Sequence, residues 1–123
     1  MVSLGLGLGI THIRPPARPN DPDTKDIETA LAERRLINAK HESSDLVLAP
    51  YALYRGEDDR DVLLLAVVLR TSGVPLNAWE PRPFEVRKLA QVSVRADTFF
   101  PSHAFDKSVY GDRLIEAVHL SQD

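Results

Sequence analysis

Arg82, Arg87, Lys88 and Arg95 crowd into one stretch of the chain, with Trp79 just ahead of them and Tyr51 in a segment expected to fold beside it. Basic side chains neutralise phosphates and aromatic rings stack bases. Lys88, Arg87, Arg82, Trp79 and Tyr51 therefore form a candidate surface for single-stranded nucleic acid or a nucleotide. The competing reading makes Arg87 and Arg95 outward strand residues balanced by Glu85 and Asp97, and makes Trp79 a core plug. Other chemistries find less support. His12, His41, His103 and His119 have no partner at metal-ligand spacing, so no metal or other cofactor is expected. The carboxylates of "GEDDRD" read as a solvated turn. No serine sits in a nucleophile elbow and no catalytic constellation is visible, so the chain reads as non-enzymatic.

The bulk properties agree with a small folded module. At 123 residues, one domain is expected. Hydrophobic residues make up 43%, enough for one core, and the absence of cysteine removes disulfides, thiol nucleophiles and thiolate sites. The net charge of −3 and pI of about 5.8 argue against a generic DNA-coating protein, while leaving room for a local basic patch. No apolar run approaches the roughly 18 residues of a membrane helix. The N-terminus lacks a basic leader region and a small-residue cleavage site, so it reads as no signal peptide, and a cytoplasmic location is expected.

Periodicity gives the elements that would hold the site. In "SLGLGLGI", residues 3–10, Leu4, Leu6, Leu8 and Ile10 alternate with glycine. The run does not open a helix, so it reads as an edge strand or arm rather than a phosphate loop. Such a strand pairs with a sheet edge of the same chain or of a second copy, and the second case is a homodimer through Leu4–Ile10. Residues 1–22 are thus an arm and a proline-rich linker, and residues 23–123 a single domain. Asp21 and Pro22 suit a helix start. The helix over 24–35 should bury Ile27, Ala30 and Leu31 and turn Lys25, Glu28 and Glu33 outward.

After Arg35 the period changes from helix to strand. Strands are expected near 36–41, 46–51, 62–70, 83–88 and 90–95. Leu89 breaks the alternation, which places a bulge or short turn at Arg87–Lys88. "SVYGDRLIEAVHL" reads as a short C-terminal helix. Val62–Leu69 has no polar side, so both its faces should be dry. The fold class that follows is mainly β with flanking helices (α+β): a closed antiparallel β-barrel preceded by one helix.

The order of these elements resembles the WYL domain family over roughly residues 25–106. "APYALY" resembles the family's entry to its hairpin, "PFEVRKLAQV" its following strand, and "FFPSHAFD" the segment after that. The resemblance implies an Sm-like, SH3-type barrel. It also implies a bacterial ligand-sensing module, used in transcription regulation and usually attached to a winged-helix domain, which binds nucleic-acid fragments or nucleotides through a basic patch; some members dimerise. This chain has "VLLL" at Val62–Leu65 where the naming tripeptide is expected. It has Glu85 where the family is commonly basic, Arg87 where it is commonly acidic, and keeps a basic residue at Lys88. Only about 24 residues precede the helix, so a stand-alone member is expected. The alternative function is a non-catalytic interaction or dimerisation module with no small ligand.

Overall fold

The computed structural model describes Pro19 and residues 21–57, 61–75, 80–101 and 107–118. The expected strand Leu4–Ile10, Trp79, His12, His103 and His119 lie outside the described residues. Among the described residues one helix, α1 (Lys25–Glu33), precedes seven strands: β1 (Arg35–His41), β2 (Ser44–Arg55), β3 (Val62–Thr71), β4 (Val74–Pro75), β5 (Arg82–Glu85), β6 (Ala90–Thr98) and β7 (Leu114–Ala117). A 3-10 turn at Val86–Lys88 joins β5 to β6, at the expected break in alternation, and a second 3-10 segment, Lys107–Arg113, leads into β7. Among the described residues no helix is long and apolar enough to cross a membrane.

Helix α1 buries Ile27, Ala30 and Leu31, the expected stripe. Its start differs from the expectation. Thr24, not Asp21, is the N-cap residue. Its hydroxyl donates to Glu28 Oε2 at 2.6 Å, and Lys25 N–H donates to Asp23 Oδ1 at 3.0 Å. The helix stops at Arg34, which is left-handed at φ 55 and donates its N–H to the Ala30 carbonyl. The Arg34 carbonyl then accepts from Phe99 N–H at 2.9 Å, tying the helix end to the chain leaving β6.

The strands run in the order β4-β3-β2-β1-β6, with β5 also on β3 and β7 also on β2. Every pairing is antiparallel, as short connections require. Glu42 and Ser43 turn β1 into β2 with φ of 50 and 72, and Ser72 and Gly73 turn β3 into β4 with φ of 50 and 83. Two-residue hairpins need positive φ at both positions. The β2–β3 register slips twice. Tyr51 is the extra residue between Pro50↔Ala66 and Ala52↔Leu65, and Leu69 between Val47↔Arg70 and Leu48↔Val68. Each bulge bends and twists the ladder. The sheet curls into an antiparallel half-barrel. The expected closed barrel is not what the described strands form, because no ladder among them joins β5 to β6. The Val86–Lys88 turn instead carries the chain from the outer edge of β3 to the outer edge of β1.

Burial corrects two further expectations. The strand dry on both faces is chiefly β2, whose residues from Leu48 to Arg55 are all buried. In β3, Leu63, Leu65 and Leu69 are only half-buried. The cover over the outer face of β2 comes from the C-terminal segment, where Ala52 and Tyr54 pack with Leu114, Tyr110 and Ala117. Over residues 107–118 the expected helix is instead a 3-10 segment followed by a strand. Gly111 breaks the 3-10 segment at φ 55, ψ −131, and Leu114–Ala117 pairs with Ala52–Tyr54 as β7. The reason is geometric. Leu114 feeds the outer cluster and its neighbour Ile115 feeds the main core, and only a period of two sends adjacent side chains to opposite faces.

At the end of β2, Arg55 is 2% exposed. Its Nη1 and Nη2 donate to Asp21 Oδ1 and Oδ2 at 3.2 and 2.8 Å. Its carbonyl accepts from Arg113 Nη1 at 3.2 Å. Removing one partner of a buried pair leaves the other charge short of its counter-ion. Asp21→Ala is expected to lower the unfolding free energy by about 3 kcal/mol. Glu33→Ala, which breaks only the exposed pair with Arg35, should cost less than about 1 kcal/mol. Urea unfolding of both variants decides this, and equal losses would refute the clamp.

Candidate functional site

The expected basic surface is built by β5, the 3-10 turn and the start of β6. On β5, Arg82 and Phe84 oppose Ala66 and Leu64, residues of the core face of β3. Alternation therefore turns both side chains toward the inner side of the half-barrel. There Phe84 is half-buried against the core. The Arg82 guanidinium lies 5.9 Å from the centre of the Phe84 ring. The His41 ring, from the end of β1, meets the same ring edge-on at 5.7 Å. A cation, an aromatic ring and an imidazole thus share one corner.

Arg87 and Lys88 project from the turn that follows, and both are exposed. The Lys88 side chain is 61% exposed, with Nζ 3.4 Å from Glu85 Oε2. Sequence reasoning set Glu85 against Arg87; the structure sets it against Lys88, three residues on and one helical turn away. An exposed pair of this kind contributes little and yields readily to another anion.

Two of the five expected site residues cannot be assigned to that corner. Trp79 lies outside the described residues. Tyr51 is 1% exposed and its ring packs on Phe99 at 5.7 Å, so it offers no face to a ligand. The bulge that turns it inward becomes visible only once β3 is paired with β2. Phe84 and His41 were missed as aromatic partners. The signal for Phe84 was present, since Arg82 and Phe84 stand two apart in a strand.

Arg95 belongs elsewhere, on β6 at the far end of the strand order. Its Nε donates to Asp97 Oδ1 at 2.9 Å and its Nη1 to Asn38 Oδ1 at 2.9 Å. The Arg95 guanidinium is the main cause that holds the Asp97 carboxyl below its ordinary range. This is the expected balance of Arg95 by Asp97. Among the described residues, no group of three or more histidines and carboxylates could hold a metal ion.

The other concentration of titratable groups is the stack of Tyr54 on Tyr110, with ring centres 4.2 Å apart, capped by Arg113 at 6.0 Å from the Tyr110 ring. Burial lifts the Tyr54 phenol above its ordinary value of 10.0, Tyr110 adds to the rise and Arg113 opposes it. Burial lifts Tyr110 likewise. Phenols that hold their protons this firmly are no bases near neutrality, so the stack fastens the C-terminal segment rather than performing chemistry. Each phenol keeps its proton more tightly folded than unfolded. The stability it contributes is intact below about pH 10 and is lost as pH rises above it. Tyr54→Phe keeps the ring and removes one titration, so the alkaline fall in unfolding free energy should flatten. An unchanged slope in urea titrations across that range would count against this. Comparison of the chain with family models, with curated proteins and with solved structures gives no match.

Proposed function

We propose that this chain is a non-enzymatic accessory or ligand-sensing module of bacterial transcription regulation, with an Sm-like, SH3-type barrel. It binds single-stranded nucleic acid or a nucleotide through the corner built by Arg82, Phe84, Arg87 and Lys88. The observation that carries the reading is the Arg82 guanidinium lying against the Phe84 ring, beside two further exposed cations on the next turn. Phosphates meet the cations and a base meets the ring, the pairing of features that single-strand binders use. The helix-first order and the 3-10 turn between β5 and β6 support the barrel assignment. A cytoplasmic site of action goes with this reading.

Labelled short single strands and fluorescence anisotropy at two salt concentrations test it. Arg82→Ala and Lys88→Ala should each weaken binding and flatten the log-affinity against log-salt slope by about 0.7, one phosphate contact each. Phe84→Leu keeps an apolar side chain in the core but removes the ring, and should cost about 1–3 kcal/mol of affinity if the ring stacks a base. No binding by the wild-type chain at low salt would overturn the reading.

One observation favours the alternative, an interaction module with no small ligand. Among the described residues, the outer edge of β6 carries no partner strand, and such edges recruit strands from other chains. On that reading residues 4–10 supply the pairing strand of a homodimer. Deleting residues 1–12 should then halve the solution mass, and an unchanged mass by light scattering would dismiss it.

A further inference from the structure

The outer face of the sheet carries a second polar surface, which meets β3 at Arg70, the end paired with β4 and not the end paired with β5. Asn38 pairs with Ser93 on one side and with Val47 on the other, and Val47 pairs with Arg70. These four residues form one row across β6, β1, β2 and β3. Lys40 and Asp45, also partners across the ladder, form the next row. Their neighbours Ile37, Ala39, Leu46 and Leu48 are buried, so alternation turns both rows to the outside. Over them lies an open groove of about 320 Å³ lined by Asn38, Lys40, Asp45, Val47, Arg70 and Gln91, among others.

The groove is chemically organised. Val47 gives it an apolar floor, with Arg70 on one side and the amides of Asn38 and Gln91 on the other. Lys40 and Arg70 give it two cations against one carboxylate, Asp45. Lys40 Nζ is 3.7 Å from Asp45 Oδ1, a long exposed pair that contributes little. Arg70 has no ion-pair partner among the described residues, although its charge reaches as far as Asp97. The walls are fixed by the fold. Asn38 is held by Arg95 Nη1, and Ser72 N–H donates to the Asp45 carbonyl at 2.6 Å, which anchors the β3–β4 turn at the rim.

We propose that this groove is a binding site for a small molecule that carries one oxyanion, a carboxylate or a phosphate monoester, on a flat apolar body. The oxyanion meets Arg70, whose planar fork suits two-pronged contacts to such groups, with Lys40 beside it. The body lies over Val47 and runs toward the two amides, away from Arg70. The volume lies at the small end of the range for ligand pockets, so a single-ring compound fits and a polymer does not. This site is separate from the Arg82–Lys88 corner and does not depend on it.

Benzoate and phenyl phosphate are suitable probes, with phenol as the uncharged control. They are titrated into the full chain while the backbone amide resonances are followed by NMR. Saturable shifts are expected at Asn38, Lys40, Val47 and Arg70 with one or both anions and not with phenol. Which anion binds more tightly identifies the oxyanion. Arg70→Gln should weaken binding about tenfold, the loss of one charge-assisted contact. Asp45→Asn should strengthen it, because the competing carboxylate is gone; a purely structural role for Asp45 gives no such gain. Arg82→Ala should leave it unchanged. No saturable shift, equal shifts with phenol, or unaltered binding in Arg70→Gln would overturn the proposal.

Discussion

Every other strand depends on the antiparallel ladder between β2 and β3, and that ladder must bend twice to wrap a core filled by a single helix. The two bulges do this, and they also explain the many short strands. Along its outer edge β2 is followed first by β1, as far as Leu48, and then by β7, from Ala52. The Tyr51 bulge lies between them. Along its own outer edge β3 carries β5 as far as Ala66 and β4 from Arg70, and the Leu69 bulge lies between those. One neighbour cannot follow a strand through a bend that disrupts the ladder, so each neighbour ends at the bulge and another takes over. The β5 position that presents Arg82 and Phe84 and the Val47–Arg70 row of the outer groove are both consequences of where these bends fall.

Enclosing β2 on both faces has a cost at its end, where a charged residue closes the strand. Arg55 cannot reach water from a side chain that is 2% exposed, so a carboxylate must be brought to it. Asp21 is that carboxylate, and the need places the start of the domain. Asp21 is held at β2, the helix begins four residues later, and Thr24 takes the capping position. A well-packed apolar pair at the same place would stabilise the fold as much or more. What the ion pair adds is a fixed anchor point for the chain entering α1.

Most of the architecture could be read from local periods. The buried stripe of α1, the change of period at Arg35, the strands β1, β2, β3 and β6 and the break before Leu89 are all properties of neighbouring residues, and the structure contains each; the strand expected over 83–88 ends at Glu85, and the short β4 was not expected. What could not be read depends on partners far along the chain. Asp21 meets a residue 34 positions away, and no local pattern reports that. "RLIEAV" has helix-forming residues, yet Leu114 and Ile115 are claimed by two different clusters, and tertiary packing overrides propensity there. At the site, the exposure of Arg82, Arg87 and Lys88 was legible because turn-flanking basic residues face water. The burial of Tyr51 was not, because a bulge in one strand is defined only by its register with another.

Charge alone does not distinguish the two surfaces proposed to bind ligands. The chain has a net charge of −3, and each surface has one cation beside a carboxylate, Lys88 by Glu85 and Lys40 by Asp45. Such exposed pairs contribute at most about 1 kcal/mol each, so an incoming anion exchanges them at little cost and either surface can attract one. Selectivity must then come from the neutral parts. The corner offers the Phe84 ring, flanked by Arg82 and His41, which suits a base held at the edge of a strand. The outer groove offers no ring among its lining residues; it offers amides beside the small apolar floor of Val47. A base with a sugar and phosphate chain gains most at the first, and a compact single-ring acid at the second. The same sheet can thus hold two sites with similar charge and little overlap in what they bind, because its two faces differ in the shape and polarity of what surrounds the cations.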